Sequence, residues 1–141
     1  MNSSKRELIL LVEDDPNDEL LVLRTFRKSQ VNADLVVVRD GAEALEYLFG
    51  TGAYQGRDLG IMPTRIMLDL HLPKLSGLEV LQRIKGDERT RSIPVTMLTG
   101  SDYEVITNES LRQGADACVM KPVTSDGIRQ IADPQHGTAR S

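Results

Sequence analysis

Tryptophan is absent from the 141 residues, and cysteine occurs once, as Cys118. A single thiol excludes an internal disulfide framework and leaves no second sulfur for a metal or redox pair, which fits a reducing cytoplasm. Long apolar runs are missing as well. The stretch over residues 8–12 is too short for a signal-peptide core or a membrane span, and Glu13-Asp14-Asp15 follow it at once. The two histidines, His71 and His136, lie far apart and form no zinc pattern. Seventeen basic residues are scattered among twenty-one acidic ones, and the formal charge of −4 argues against a nucleic-acid or anionic-membrane surface. What is present is 40% hydrophobic and 27% charged, a globular composition. The length suits one domain with a sizeable core and is too short for two ordinary ones.

Five short runs rich in branched apolar residues punctuate the chain, at 8–12, 35–38, 65–70, 95–98 and 117–120. They are continuous rather than alternating, so they read as strands buried on both faces of a parallel sheet. Helical patterns lie between them. Pro16-Asn17-Asp18 opens the first, with Leu20, Leu23 and Phe26 as its apolar side. Asp40 caps the second, which carries Ala44, Leu45 and Leu48 inward and stops at Gly50. Ser76 caps the third, whose Leu78, Leu81 and Ile84 recur until Gly86, and a fourth spans about residues 102–113. The last begins at Thr124 or Ser125 and is limited to about two turns by Asp133-Pro134. Residues 50–64 count as a glycine-rich insertion, and residues 133–141 as a disordered tail. Alternation of this kind predicts an open, doubly wound α/β sheet with its ligands at the carboxyl ends of the strands.

That rule gathers Glu13, Asp14, Asp69, Thr99 and Lys121 at one edge of the sheet. Carboxylates that meet there repel by about 4 kcal/mol per pair at 4 Å and an effective dielectric of 20, so they require a cation or raised pKa values. Hard oxygen ligands with room for water suit Mg²⁺, or Mn²⁺ in its place. Each residue also has a plainer reading: Glu13-Asp14-Asp15 as a solvated helix entrance with Asp15 as cap or rim charge, Thr99-Gly100-Ser101 as a turn, Lys121-Pro122 as a strand exit.

Four motifs carry a resemblance: ILLVEDDP at 9–16, LDLHLPKLSG at 68–77, MLTGS at 97–101 and VMKPV at 119–123. In that order, each at a strand end, they make the chain similar to the receiver domain of two-component response regulators, from about Arg6 to Ala132. The VEDDPND opening and the long insertion resemble the subfamily that serves phytochrome-type photoreceptor kinases. The resemblance implies a flavodoxin-like five-stranded sheet of order 2-1-3-4-5. It implies that Asp69 accepts a phosphoryl group from a histidine kinase in a Mg²⁺-dependent reaction. Asp14 and Asp69 would ligate the metal, with Glu13 acting through water and the backbone carbonyl of His71 completing the set. Thr99 and the Gly100 amide would bind the phosphoryl oxygens, and Lys121, before a cis prolyl bond, would pair with the phosphate or with Asp69. His71 and Ser101 would set the rate of phosphate loss.

The chain departs from that family where receivers usually carry a switching aromatic, three residues before the lysine; Cys118 stands there instead, and a small side chain cannot act as a rotating ring. Tyr103 is the candidate substitute. The short last helix leaves apolar surface for a homodimer through the fourth and fifth helices or for a kinase. The expected whole is a cytoplasmic, single-domain switch, residues 1–132, with no output domain and no catalytic turnover of its own beyond phosphotransfer and dephosphorylation. An aspartyl-phosphate phosphatase would place a second aspartate where His71 stands. A degenerate binding scaffold would not need the intact acidic pair, threonine and lysine. GTGAYQG at 50–56 has the wrong spacing and follows a helix, which disfavours a dinucleotide site.

Overall fold

The computed structural model describes residues 6–100 and 103–132. Among them, strands β1 (Glu7–Val12), β2 (Ala33–Val38), β3 (Arg65–Asp69), β4 (Val95–Thr99) and β5 (Ala117–Met120) form one sheet of order β2-β1-β3-β4-β5. All pairings are parallel. Helices α1 (Pro16–Ser29), α2 (Gly41–Phe49), α3 (Gly77–Lys85), α4 (Tyr103–Arg112) and α5 (Ser125–Ala132) connect and cover it. No helix of the described residues is long and apolar enough to cross a membrane.

Strand side chains alternate between two cores, which is why the apolar runs are uninterrupted. Leu10, Val12, Ile66, Leu68, Val95 and Met97 face the layer of α2 and α3. Ile9, Leu11, Met67 and Leu98 face the other side, where Val22 and Phe26 of α1 and Ile128 of α5 close over them.

Capping fixes where each helix leaves its loop. Asp15 accepts from the amides of Asn17 and Asp18 at the start of α1, and Asp40 accepts from that of Glu43 in α2. Ser76 and Glu79 form a reciprocal capping box on α3. Gly50 ends α2 in the left-handed region, at φ 68°.

The inward face of α1 differs from the predicted one. Leu20 is 46% exposed, and the buried stripe is Val22, Phe26 and Ser29. Both sets fit a helical period and share Phe26, which is buried as expected; Val22 joins it against the strand side chains beneath, and the Ser29 hydroxyl is accommodated by donating to the Phe26 carbonyl. In α2 and α3 the stripe also takes in Tyr47 and Val80, residues outside the predicted set.

The insertion after α2 is braced. A 3₁₀ turn over Gly52–Tyr54 sets the Tyr54 ring edge-on to Tyr47 at 5.1 Å. Its hydroxyl donates to Glu43 at 2.7 Å. Arg57 lies 4.0 Å over the Tyr47 ring and donates to the carbonyls of Tyr47 and Ile61.

Helix α3 starts unusually close to the exit of β3. A β-carbon on Gly77 would sit 2.4 Å from the Asp69 carbonyl oxygen and 2.8 Å from the Leu70 α-carbon, both main-chain atoms that cannot swing aside. Gly77→Ala is therefore expected to cost about 1–3 kcal/mol, read as a lower urea midpoint with an unchanged slope. A midpoint equal to that of the parent would show that the loop yields freely.

Candidate phosphoryl-transfer site

Strands β1 and β3 lie side by side at the centre of the sheet, and the connections leaving them diverge to opposite faces, which opens a crevice at their carboxyl ends. Glu13 follows β1 directly, its amide bonded to the Val38 carbonyl. It is fully buried. Asp14 beside it is exposed. Asp69 closes β3 in register with Leu98 and is 4% exposed.

Lys121 enters from the end of β5, its amide donating to the Thr99 carbonyl at 2.8 Å. The bond from Lys121 to Pro122 is cis, as the resemblance implies. Its ammonium donates to Asp69 Oδ2 at 2.9 Å and to Asp18 Oδ2 at 2.9 Å. Glu13 Oε1 is 3.0 Å away, an ion-pair contact without a directed hydrogen bond. The other Asp69 oxygen accepts from the His71 amide at 3.2 Å. An aspartate at the end of an apolar strand is thus tolerated through one cation and one main-chain donor.

The electrostatics follow from this crowding. Burial, then the neighbouring Asp69 carboxylate, pushes Glu13 up to about 7, with Lys121 opposing the shift. Burial works against the charge of Lys121, but the hydrogen bonds to Asp18 and Asp69 and the ion-pair contact with Glu13 outweigh it and hold the ammonium above its ordinary range.

Glu13, Asp14 and Asp69 each bring one oxygen within 4.8 Å of the others. Glu13 Oε1 has no directed hydrogen bond and only a shared ammonium beside it, so the cluster is short of positive charge, and the exposed Asp14 leaves an open side for water. An all-oxygen set with that opening fits Mg²⁺ or Mn²⁺.

Thr99 is fully buried at the end of β4, in register with Met120. Gly100 is exposed after it, with open space where a side chain would begin. The His71 side chain is exposed at the rim. Cys118 is half-buried and packs against the α2–α3 core. Ser101 and the Tyr103 side chain lie outside the described residues.

Of the residues that sequence reasoning gathered, the structure brings Glu13, Asp14, Asp69 and Lys121 together and places Thr99 at the neighbouring strand end; Asp18 was missed. The available signal was its place in VEDDPND: with Asp15 as cap and Pro16 next, Asp18 falls in the first helical turn, beside the strand ends.

The family model described as "Response regulator receiver domain" matches residues 9–133. The solved structure of the bacteriophytochrome response regulator AtBRR is 45% identical over 94% of each chain, with a TM-score of 0.82. The bacteriophytochrome response regulator RtBRR is 43% identical over 90% of this chain and 76% of its own, with a TM-score of 0.81. Response regulator Rcp1 of Synechocystis sp. is 39% identical over 72% of this chain and 67% of its own. The Mn²⁺-bound structure of Rcp1 aligns over 89% of each chain at 33% identity, with a TM-score of 0.75.

The Glu13 shift sets a pH dependence. Its folded pKa lies above the ordinary value of 4.5, so its contribution to stability is fully present below 4.5 and is lost as pH rises through about 7. In chelator, denaturant midpoints should fall across that window, and Glu13→Gln should flatten the fall. An identical slope in both proteins would locate the titrating group elsewhere.

Proposed function

The chain belongs to the response regulator receiver domain family, whose members are phosphoacceptor switches in two-component signalling, and on that footing we propose that Asp69 is its phosphoacceptor. The observation that carries this reading is the Lys121 ammonium 2.9 Å from an Asp69 carboxylate that stands beside two further acidic ligands. An Asp69 oxygen attacks the phosphorus of a kinase phosphohistidine. The P–N bond breaks as the P–O bond forms, and the imidazole leaves with the electron pair. The transition state is loose, so alignment and charge neutralisation are the protein's main task.

Asp14 and Asp69, with Glu13 through water and the His71 carbonyl, would hold Mg²⁺, or Mn²⁺ in its place. That ion supplies charge neutralisation at the transferring oxygens. Lys121 pairs with a phosphoryl oxygen, the Thr99 hydroxyl donates to a second, and the Gly100 amide supports it. His71 and Ser101 set how fast water removes the phosphate. Cys118 and Tyr103 mark the region through which the change is read.

The partner kinase is proposed to be of the phytochrome photoreceptor type, since two of the similar proteins are bacteriophytochrome response regulators. On this reading the receiver domain, residues 1–132, acts in the cytoplasm by changing its contacts with other proteins. Neither nucleic acid nor membrane is a partner on this reading, in keeping with the net charge of −4. A homodimer through α4 and α5 is supported by Leu111 and Met120, which are 47% and 49% exposed on α4 and β5.

Labelling by acetyl phosphate or a phosphorylated kinase tests the site. The protein should label in Mg²⁺ and not in excess chelator, Asp69→Asn should not label, and His71→Ala should label but lose phosphate at a different rate. Full labelling in chelator or of Asp69→Asn would sink the assignment, and an unchanged rate of loss would remove His71 from it. For assembly, sedimentation at tens of micromolar should show a dimer in at least one phosphorylation state; monomers in both would reject the α4–α5 pairing.

A further inference from the structure

We propose that Asp18 is a positioning residue of the phosphoacceptor reaction, tethering the Lys121 ammonium at the mouth of the pocket while Glu13 and Asp69 are engaged by metal and phosphoryl group. The inference rests on the Asp69 reading given above and concerns how that site keeps its lysine.

Three carboxylates surround Lys121 Nζ: Asp18 and Asp69 at 2.9 Å, Glu13 at 3.0 Å. Two of them belong to the acidic trio whose oxygens converge within 4.8 Å. Their charge is what a divalent cation would claim. Asp18 stands outside that trio, so its attraction for the ammonium persists when the others are neutralised.

Exposure separates the three in the same way. The Glu13 and Asp69 side chains are 0% and 5% exposed, whereas Asp18 is 34% exposed. Asp18 can therefore carry its charge in partial contact with water, without a cation to compensate it.

The tether is also mechanically sound. Asp18 lies in the first turn of α1, its amide bonded to the Asp15 cap, so its carboxylate projects from a fixed backbone. Lys121 follows the last residue of β5 on a flexible four-carbon stem. A second anchor on another element restrains a chain that one contact leaves free to swing.

Phosphorylation makes the restraint matter. Once one Asp69 oxygen is phosphorylated to the acyl phosphate, that carboxylate no longer carries the charge that drew Nζ to it, and the negative charge moves outward to the phosphoryl oxygens. An ammonium held at the rim by Asp18 has its remaining protons available there. Without Asp18 the stem explores solvent, and each encounter must order it again.

The test uses the full chain with Asp18→Ala, Asp18→Asn and Asp18→Glu, acetyl phosphate as donor and saturating Mg²⁺. Labelling is followed by intact mass, and the order of the Lys121 side chain is followed by NMR relaxation of its Cε in the Mg²⁺-saturated protein, where Glu13 and Asp69 are engaged by the cation and the hold of Asp18 is isolated. Asp18→Ala should label about five-fold more slowly, as expected for one half-exposed charged contact, and its Lys121 Cε should become as mobile as that of an exposed lysine. Asp18→Asn should fall between, and Asp18→Glu should recover both rate and order to within about two-fold. Asp18 also lies near the positive end of α1, so a purely structural role would lower thermal stability while Lys121 kept its order. That result, or parental labelling by Asp18→Ala, overturns the inference. Asp69→Asn is the separating control: unlabelled, it leaves the Asp69 assignment standing whichever way Asp18 falls; labelled like the parent, it removes that assignment and this inference together.

Discussion

One ammonium shared among carboxylates from three different segments holds the site together. Lys121 reaches Asp69 at the end of β3, Glu13 after β1 and Asp18 in α1, so a single cation ties the exit of β5 to the two central strands and the first helix. Losing one partner of a buried ion pair costs about 3–5 kcal/mol because the other charge is left uncompensated. This cluster carries more negative charge than one lysine can neutralise. Glu13, pushed up to about 7, is where the excess shows: part of the balance is met by a proton that a divalent cation would displace. The same surplus that makes the pocket unfavourable when bare makes it selective for a hard cation.

The fold supplies that crowding through backbone geometry. Parallel strands deliver their carboxyl ends to one edge, and the order β2-β1-β3 sets Glu13 and Asp69 next to each other there. The far side of Asp69 is closed by α3, which can approach only because residue 77 has no side chain to meet the Asp69 carbonyl. The main-chain amide of His71 then takes the Asp69 oxygen that Lys121 does not. Asp69 is thereby oriented by rigid elements on both sides, the condition for a reaction that asks for alignment more than for bond-making assistance.

Much of this was legible in the sequence because its signals are local. Apolar runs ending in Glu13, Asp69 and Thr99 give strand and strand end together, and the caps Asp40 and Ser76 act within one turn of themselves. The inward face of α1 was not legible. Leu20-Leu23-Phe26 and Val22-Phe26-Ser29 are both helical stripes, and only the placement of α1 against Ile9, Leu11 and Ile128 selects the second. Asp18 was missed for a related reason. In VEDDPND it reads as ordinary acidic character at a helix start, and its partner lies 103 residues away. Lys121 was expected to answer to the phosphate or to Asp69, since a sequence shows which charges exist but not how many converge on one of them.

Cys118 constrains how a change at Asp69 could reach the surface. A thiol at that position has neither the volume nor the axis of an aromatic ring, and it packs against the α2–α3 core instead of hinging at the rim. What does connect the site to the outer edge is main chain. Thr99 is in register with Met120, and its carbonyl accepts from the Lys121 amide at 2.8 Å. Any displacement of Thr99 would thus bear on the strand end at Met120, which is 49% exposed on the edge strand. Main-chain contact of this kind gives the strand end a physical connection to the surface that requires no rotating ring.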